Sequence, residues 1–202
     1  MSDPLQTIHV VDDDEAMRDS MAWLLEGEGY AVACYDSADS FLAAHGEHMH
    51  GCLILDVRMP QMSGLELHEK LDALGSQLPI IFVTGHGDVP MAVSALQRGA
   101  CDFIEKPFTN EDLLSRIRRA LELDSQISAR RQRDSVIEHR LRLLTQRERE
   151  VMELVVAGKL NKQVADELNI SMKTVEAHRA RVMEKMGART LAELVKAVMS
   201  VN

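Results

Sequence analysis

The sequence is 202 residues long, 46% apolar and 27% charged, with a formal net charge of −9. That is ordinary globular composition, and it excludes a collagen-like, low-complexity or disulfide-scaffold chain. Charge interrupts every apolar run before bilayer length, and Met1–Leu5 lacks the basic-then-apolar order of a secretory leader, so a cytoplasmic protein with no membrane partner is expected.

The charge is unevenly spread. Residues 1–123 carry 8 Lys and Arg against 21 Asp and Glu, whereas residues 124–202 carry 15 against 11. A basic rear portion on an acidic front portion suits a nucleic-acid-binding module joined to something else. Cys34, Cys52 and Cys101 are odd in number and lack metal-ligand spacing, so buried, reduced thiols are expected.

In chain order, five short apolar runs, at 8–11, 31–34, 52–55, 79–83 and 102–104, alternate with amphipathic stretches. Several runs are β-branched and lack period-two alternation, as buried parallel strands do. A helix is predicted over about 15–28, ending near Gly29, with Asp14 read as its N-cap. Another is predicted over 89–98, with Asp88 as N-cap and Gly99 beyond its end. Strands alternating with helices imply an α/β, doubly wound, five-stranded parallel sheet with right-handed crossovers. Thr109 and Asp112 make a capping-box-like start to the next helix, and no Gly or Pro interrupts residues 110–157. Positions 120, 123, 127, 130, 134, 137, 141 and 144 follow heptad spacing, six of the eight being apolar. This leaves open a short dimeric coiled coil or a connector whose leucines pack on the flanking domains, the latter favoured by Arg130 and Asp134 in the seam. From Thr145 four short helices are predicted. Thr145 and Glu148 form a capping box for the first, Asn161 opens the second, Ser171 the third, and Thr190 with Glu193 caps the fourth.

In such a sheet the carboxyl ends of the strands share one edge, where ligands bind. Asp12, Asp13 and Asp14 follow strand one, Asp56 ends strand three, Thr84 ends strand four and Lys106 follows strand five. The order 2-1-3-4-5 makes Asp12, Asp13 and Asp56 neighbours. Crowded carboxylates repel one another, and a hard divalent cation such as Mg²⁺ relieves this. One carboxylate can then attack a phosphoryl group, while Lys106 and the Thr84 hydroxyl support the phosphoryl oxygens.

The blocks Val11-Asp12-Asp13, Leu55-Asp56-Val57-Arg58-Met59-Pro60, Val83-Thr84-Gly85-His86-Gly87 and Glu105-Lys106-Pro107-Phe108 resemble those of CheY-like receivers, specifically the FixJ subfamily. The resemblance covers about residues 5–123. It implies phosphorylation of Asp56, with Mg²⁺ held by Asp13, Asp56 and the Arg58 carbonyl, and Asp12 nearby or acting through water. It also implies a Thr84/Phe103 switch pair, a cis Lys106–Pro107 bond, and activated dimers formed through about residues 89–106.

Residues 145–200 resemble the four-helix LuxR/FixJ/NarL output domain, through Leu144–Glu148, Gly158–Lys162, Val164-Ala165 and Ser171–Arg179. Its third helix is the expected recognition helix. At 100° per residue, Val175, Val182 and Met186 share an inward face, opposite Lys173, Ala177, Ala180, Arg181 and Glu184, with Glu176 at the flank. Lys173, Arg181, Glu176 and the alanines Ala177 and Ala180 suit base edges in the major groove. Lys162, Thr174, Arg179 and Lys185 suit phosphates.

The resulting reading is a receiver at 1–123, a helical linker at 124–142 and a helix-turn-helix DNA-binding domain at 143–202. Phosphorylation of Asp56 by a sensor histidine kinase would control homodimerisation and promoter binding, with RNA polymerase as a further partner. Two rival readings carry less. A haloacid-dehalogenase-type phosphatase leaves the Asp56 block and the second domain unexplained, and retained DNA binding by residues 145–202 alone would exclude a receiver with protein-binding output.

Overall fold

The computed structural model describes residues 6–46, 49–85 and 101–201. The strands are β1 (Thr7–Val11), β2 (Ala31–Tyr35), β3 (Gly51–Asp56), β4 (Ile80–Thr84) and β5 (Asp102–Glu105). They form one parallel sheet in the order β2-β1-β3-β4-β5. The helices described beside it are α1 (Glu15–Gly27), α2 (Ala38–Ala44), α3 (Gly64–Ala73) and the first part of α4 (Asn110–Arg142). The helix predicted over 89–98, and with it most of the expected dimer face, lies outside the described residues.

The central strands carry the apolar runs because both their faces are covered. Every residue of β3 and β4 is buried. Alternate side chains divide between two cores. Val11, Leu53, Leu55 and Phe82 face Phe41 of α2 and Leu67 and Leu71 of α3. Ile8, Val10, Ile54, Ile81 and Val83 face Met21 and Leu25 of α1 and Leu113 and Ile117 of α4. Strand β2 lies at the sheet edge, and there Cys34 is exposed, contrary to the expectation of three buried thiols. Cys52 of β3 is buried in the core and Cys101 is half-buried, and all three cysteines are free thiols.

The caps follow the sequence closely. The Asp14 carboxylate accepts from the Ala16 and Met17 N–H groups at the start of α1. Ser63 and Glu66 form a reciprocal capping box on α3, an arrangement the sequence reading passed over. Gly64 opens α3 so close to β3 that a Cβ there would lie 2.2 Å from the Asp56 carbonyl oxygen. That close backbone approach sets the height of the loop after Asp56.

The chain divides into two compact units, Met1–Ser128 and Ala129–Asn202, and the division falls within α4. The second unit holds α5 (Gln146–Val156), α6 (Asn161–Leu168), α7 (Met172–Met186) and α8 (Leu191–Ser200). Its core has two parts. Leu144, Met152, Val182, Met186, Leu194 and Val198 form one, and Val151, Val155, Val164, Ala165 and Val175 the other. The predicted inward face of α7 is thus shared between both.

The heptad positions of α4 are largely spoken for. Ala120 is buried in the first unit, and Ile137, Leu141 and Leu144 pack in the core of the second. Arg130 and Asp134 pair with each other at 3.7 Å. Side chains already used within a unit are not available to a coiled-coil partner, which favours the connector of the two alternatives. No helix among the described residues is long and apolar enough to cross a membrane.

Candidate functional site

The C-terminal ends of β1, β3 and β5 bring Asp12, Asp56 and Lys106 together, because neighbouring parallel strands end at the same edge. The Lys106 ammonium donates to Asp12 Oδ2 at 3.0 Å and to Asp56 Oδ1 at 2.8 Å. The second Asp56 oxygen accepts the Arg58 N–H at 2.7 Å, so the carboxylate is fixed at both oxygens. Asp12 is 2% exposed, and its Oδ1 accepts the Asp14 N–H at 2.9 Å. Asp13, next in the chain, points to solvent.

Burial pushes the Asp56 carboxyl above the usual Asp range, and the Asp12 charge pushes it the same way, while the bonds from Lys106 and Arg58 oppose them. Burial depresses the Lys106 ammonium, but its bonds to Asp56 and Asp12 outweigh this and the net shift is upward. A charged lysine thus holds together two carboxylates that would otherwise repel. Among the described residues, no group of three or more His, Cys, Asp or Glu side chains is placed to hold a metal ion. Asp12 and Asp56 offer the carboxylate oxygens that a hard cation takes, and Lys106 engages both of them.

Thr84 is fully buried, and its hydroxyl donates to the Gly85 carbonyl at 3.1 Å instead of reaching Asp56. Its own carbonyl accepts the Lys106 N–H at 2.8 Å, which aligns β4 with the start of the Lys106 loop. Phe103 is half-buried against the core containing Leu55 and Phe82. The Lys106–Pro107 peptide is cis.

Two contributors escaped the sequence reading. Arg18 of α1 donates to the Asp12 carbonyl at 2.7 Å, anchoring the acidic loop. At the opposite edge of the sheet, buried Asp124 accepts the Gly51 N–H at 3.0 Å and the Gln6 side-chain amide at 3.0 Å. Asp124 has no local signature, since its partners Gly51 and Gln6 are distant in the chain, whereas Arg18 lies only six residues from Asp12.

In the second unit, Ser171 caps α7 by accepting the Thr174 N–H at 3.1 Å, and the two hydroxyls lie 2.8 Å apart. Lys173, Glu176, Ala177, Ala180 and Arg181 are exposed on α7, and Lys162 is exposed at the start of α6. Arg179 is half-buried, with its guanidinium on the Asn161 side chain. Lys185, an expected phosphate contact, is engaged within its own unit. Its ammonium lies 2.6 Å from Glu148 Oε2 and 3.1 Å from the Leu143 carbonyl, inside the unit. The attraction has a plain cause, since Glu148 is a buried carboxylate at 2% exposure that needs a cation.

An aspartate fixed at the carboxyl edge of a doubly wound sheet, followed by a four-helix unit with an exposed, N-capped α7, is the arrangement of a receiver joined to a DNA-binding domain. Comparison with known proteins agrees. Residues 8–118 match the response regulator receiver domain, and residues 142–198 match the bacterial regulatory proteins of the luxR family. The chain is 46% identical over 196 residues to the response regulator protein TmoT of Ectopseudomonas mendocina, covering 97% of this chain and 89% of that protein. It is 47% identical over 190 residues to the transcriptional regulatory protein FixJ of Rhizobium meliloti, covering 94% and 93% of the two. Among solved structures, the response regulator StyR aligns with TM-score 0.85 at 42% identity, over 97% of this chain and 99% of that one. Full-length FixJ from B. japonicum aligns with TM-score 0.60 at 43% identity, over 97% of each. The chain belongs to the response regulators that join a receiver to a luxR-family DNA-binding domain, and it is a transcription regulator of a two-component system.

Proposed function

We propose that Asp56 is the phosphoacceptor and that its phosphorylation switches DNA binding by residues 143–202. The observation carrying this is the two-point fixation of the Asp56 carboxylate beside the Lys106 ammonium. An Asp56 oxygen attacks the phosphorus of a phosphohistidine on a sensor kinase. The P–N bond breaks as the acyl phosphate forms, and the histidine nitrogen leaves with the electron pair. Lys106 neutralises the phosphoryl oxygens, and the Thr84 hydroxyl turns from Gly85 to donate to one of them, with Phe103 following inward. Asp13, Asp56 and the Arg58 carbonyl, with Asp12 nearby, would hold Mg²⁺, and the bound cation would help neutralise the phosphoryl charge.

The phosphorylated receiver (1–123) then favours a homodimer, and the linker (124–142) delivers two output domains (143–202) to a two-fold promoter site, where RNA polymerase is met. Lys173, Glu176, Ala177, Ala180 and Arg181 face base edges. Lys162, Thr174 and the outer part of Arg179 face phosphates, while Lys185 serves Glu148. Localisation is cytoplasmic, where kinase and promoter meet.

Replacing Asp56 with Asn tests the scheme. Incubated with a phosphoryl donor and Mg²⁺, the variant should take up no acid-stable, base-labile phosphate, and signal-dependent promoter activity should vanish. Undiminished promoter response in that variant would remove Asp56 from the mechanism.

A further inference from the structure

We propose that Arg140 is a positioning residue for the recognition helix, holding the C-terminal end of α7 without itself reaching DNA. The proposal rests on the reading of α7 as the helix that reads DNA. Met186 is the last residue of α7, and Arg140 Nη1 donates to its carbonyl at 2.8 Å. Carbonyls of the last helical turn lack partners within the helix, and a cation there also meets the negative end of the helix dipole. Gly187, with φ 64°, ends the helix in the left-handed region. A Cβ on it would lie 2.7 Å from Arg140 Nη1 and 3.0 Å from Cζ, so the guanidinium occupies the space that glycine leaves.

The attachment is reciprocal. Lys185, one residue before Met186, donates to the Leu143 carbonyl at 3.1 Å, so each segment sends a cation to the other's backbone. Arg149 of α5 adds a bond to the Leu141 carbonyl at 2.9 Å. Beneath these, Ile137, Leu141 and Leu144 pack with Val182 and Met186. The last turns of α4 and α7 are therefore clamped by both polar and apolar contacts.

The lever arm gives the clamp its consequence. Fifteen residues make α7 about 22 Å long, so a tilt of about 5° at Met186 carries its first turn by about 2 Å. That distance separates a formed from a broken base contact at Lys173 or Glu176. Backbone phosphate contacts tolerate such a shift better, because they are less directional.

The test uses the full chain and a duplex enriched from a random pool by the wild type, with a scrambled duplex as control. Arg140→Met keeps the apolar stem and removes the donors, and Arg140→Lys restores a cation. Loss of a charge-assisted bond should weaken Arg140→Met binding to the enriched duplex about tenfold, with scrambled-duplex binding within about twofold and the salt slope unchanged. Arg140→Lys should recover most of that loss, and failure to do so would overturn the cationic clamp. Equal weakening on both duplexes with a salt slope lower by about one would make Arg140 a phosphate contact and overturn the proposal. Wild-type behaviour on both would also overturn it. If Arg140→Met unfolds the second unit, Gly187→Ala, which displaces the guanidinium, must lower the same specificity ratio, and an unchanged ratio rejects the clamp. Should the wild type enrich no duplex at all, the DNA-reading assignment of α7 fails first, and the clamp with it.

Discussion

Lys106 stands between two carboxylates, and removing it leaves both in place without their shared cation. Lys106→Met should lose about 2 kcal/mol of receiver stability near pH 7, less than for a fully buried pair because the lysine is partly open to solvent. The sign of the pH effect follows from repulsion. With no lysine, one carboxyl of the pair has its folded pKa raised, so the folded variant takes up a proton before the unfolded chain does as pH falls. The deficit against wild type should therefore shrink towards about pH 5. Urea unfolding at both pH values measures it, and an equal deficit at each would show that Lys106 acts through packing alone. Thr84 adds a conformational point at the same scale. Its hydroxyl is spent on the Gly85 carbonyl, so movement towards a phosphoryl group exchanges one hydrogen bond for another.

The helices of the second unit owe their ends to short polar motifs, and α5 has the strongest. Thr145 and Glu148 cap each other, and the Glu148 carboxylate also takes the Lys185 ammonium at 2.6 Å. The bond from Lys185 and that from the Thr145 N–H hold the Glu148 carboxyl down to about 2 against the cost of its burial. A depressed carboxyl gives stability that is complete above its ordinary value of 4.5 and is lost as pH falls through about 2. Melting temperatures of the second unit should accordingly fall between those pH values in the wild type. Glu148→Gln should melt lower at neutral pH and show a shallower decline, and a parallel decline in both proteins would place the acid sensitivity elsewhere. The α5 capping box was legible because Thr followed by Glu three residues later is a local pattern. The partner of Glu148 was not, because Lys185 lies 37 residues away.

For the whole molecule, the two compact units raise the question of what passes between them. If phosphorylation drives assembly, sedimentation velocity with Mg²⁺ and beryllofluoride should convert a monomer into a dimer, and Asp56→Asn should stay monomeric. A dimer under both conditions would return weight to a coiled coil along α4. That outcome is disfavoured by the burial of Ala120 and Leu144 and the packing of half-buried Ile137 and Leu141 within the units.

The five strands, their order and the edge carrying Asp12, Asp56 and Lys106 were legible from sequence, because apolar runs, turn residues and right-handed crossovers act locally or by general rule. The outward face of α7 followed from helical periodicity alone. Tertiary structure decided which candidates were already engaged. Lys185 and Arg179 are cations like Lys173 and Arg181 in the sequence, yet buried Glu148 and Asn161 draw the first two inward. It also decided that Asp13 faces solvent while Asp12 is buried, that Cys34 is exposed at a sheet edge, and that Arg140 meets the end of α7. The pairings of Lys185, Arg179 and Arg140 depend on partners 18 to 46 residues away, and no pattern of neighbouring residues encodes a meeting that only packing brings about.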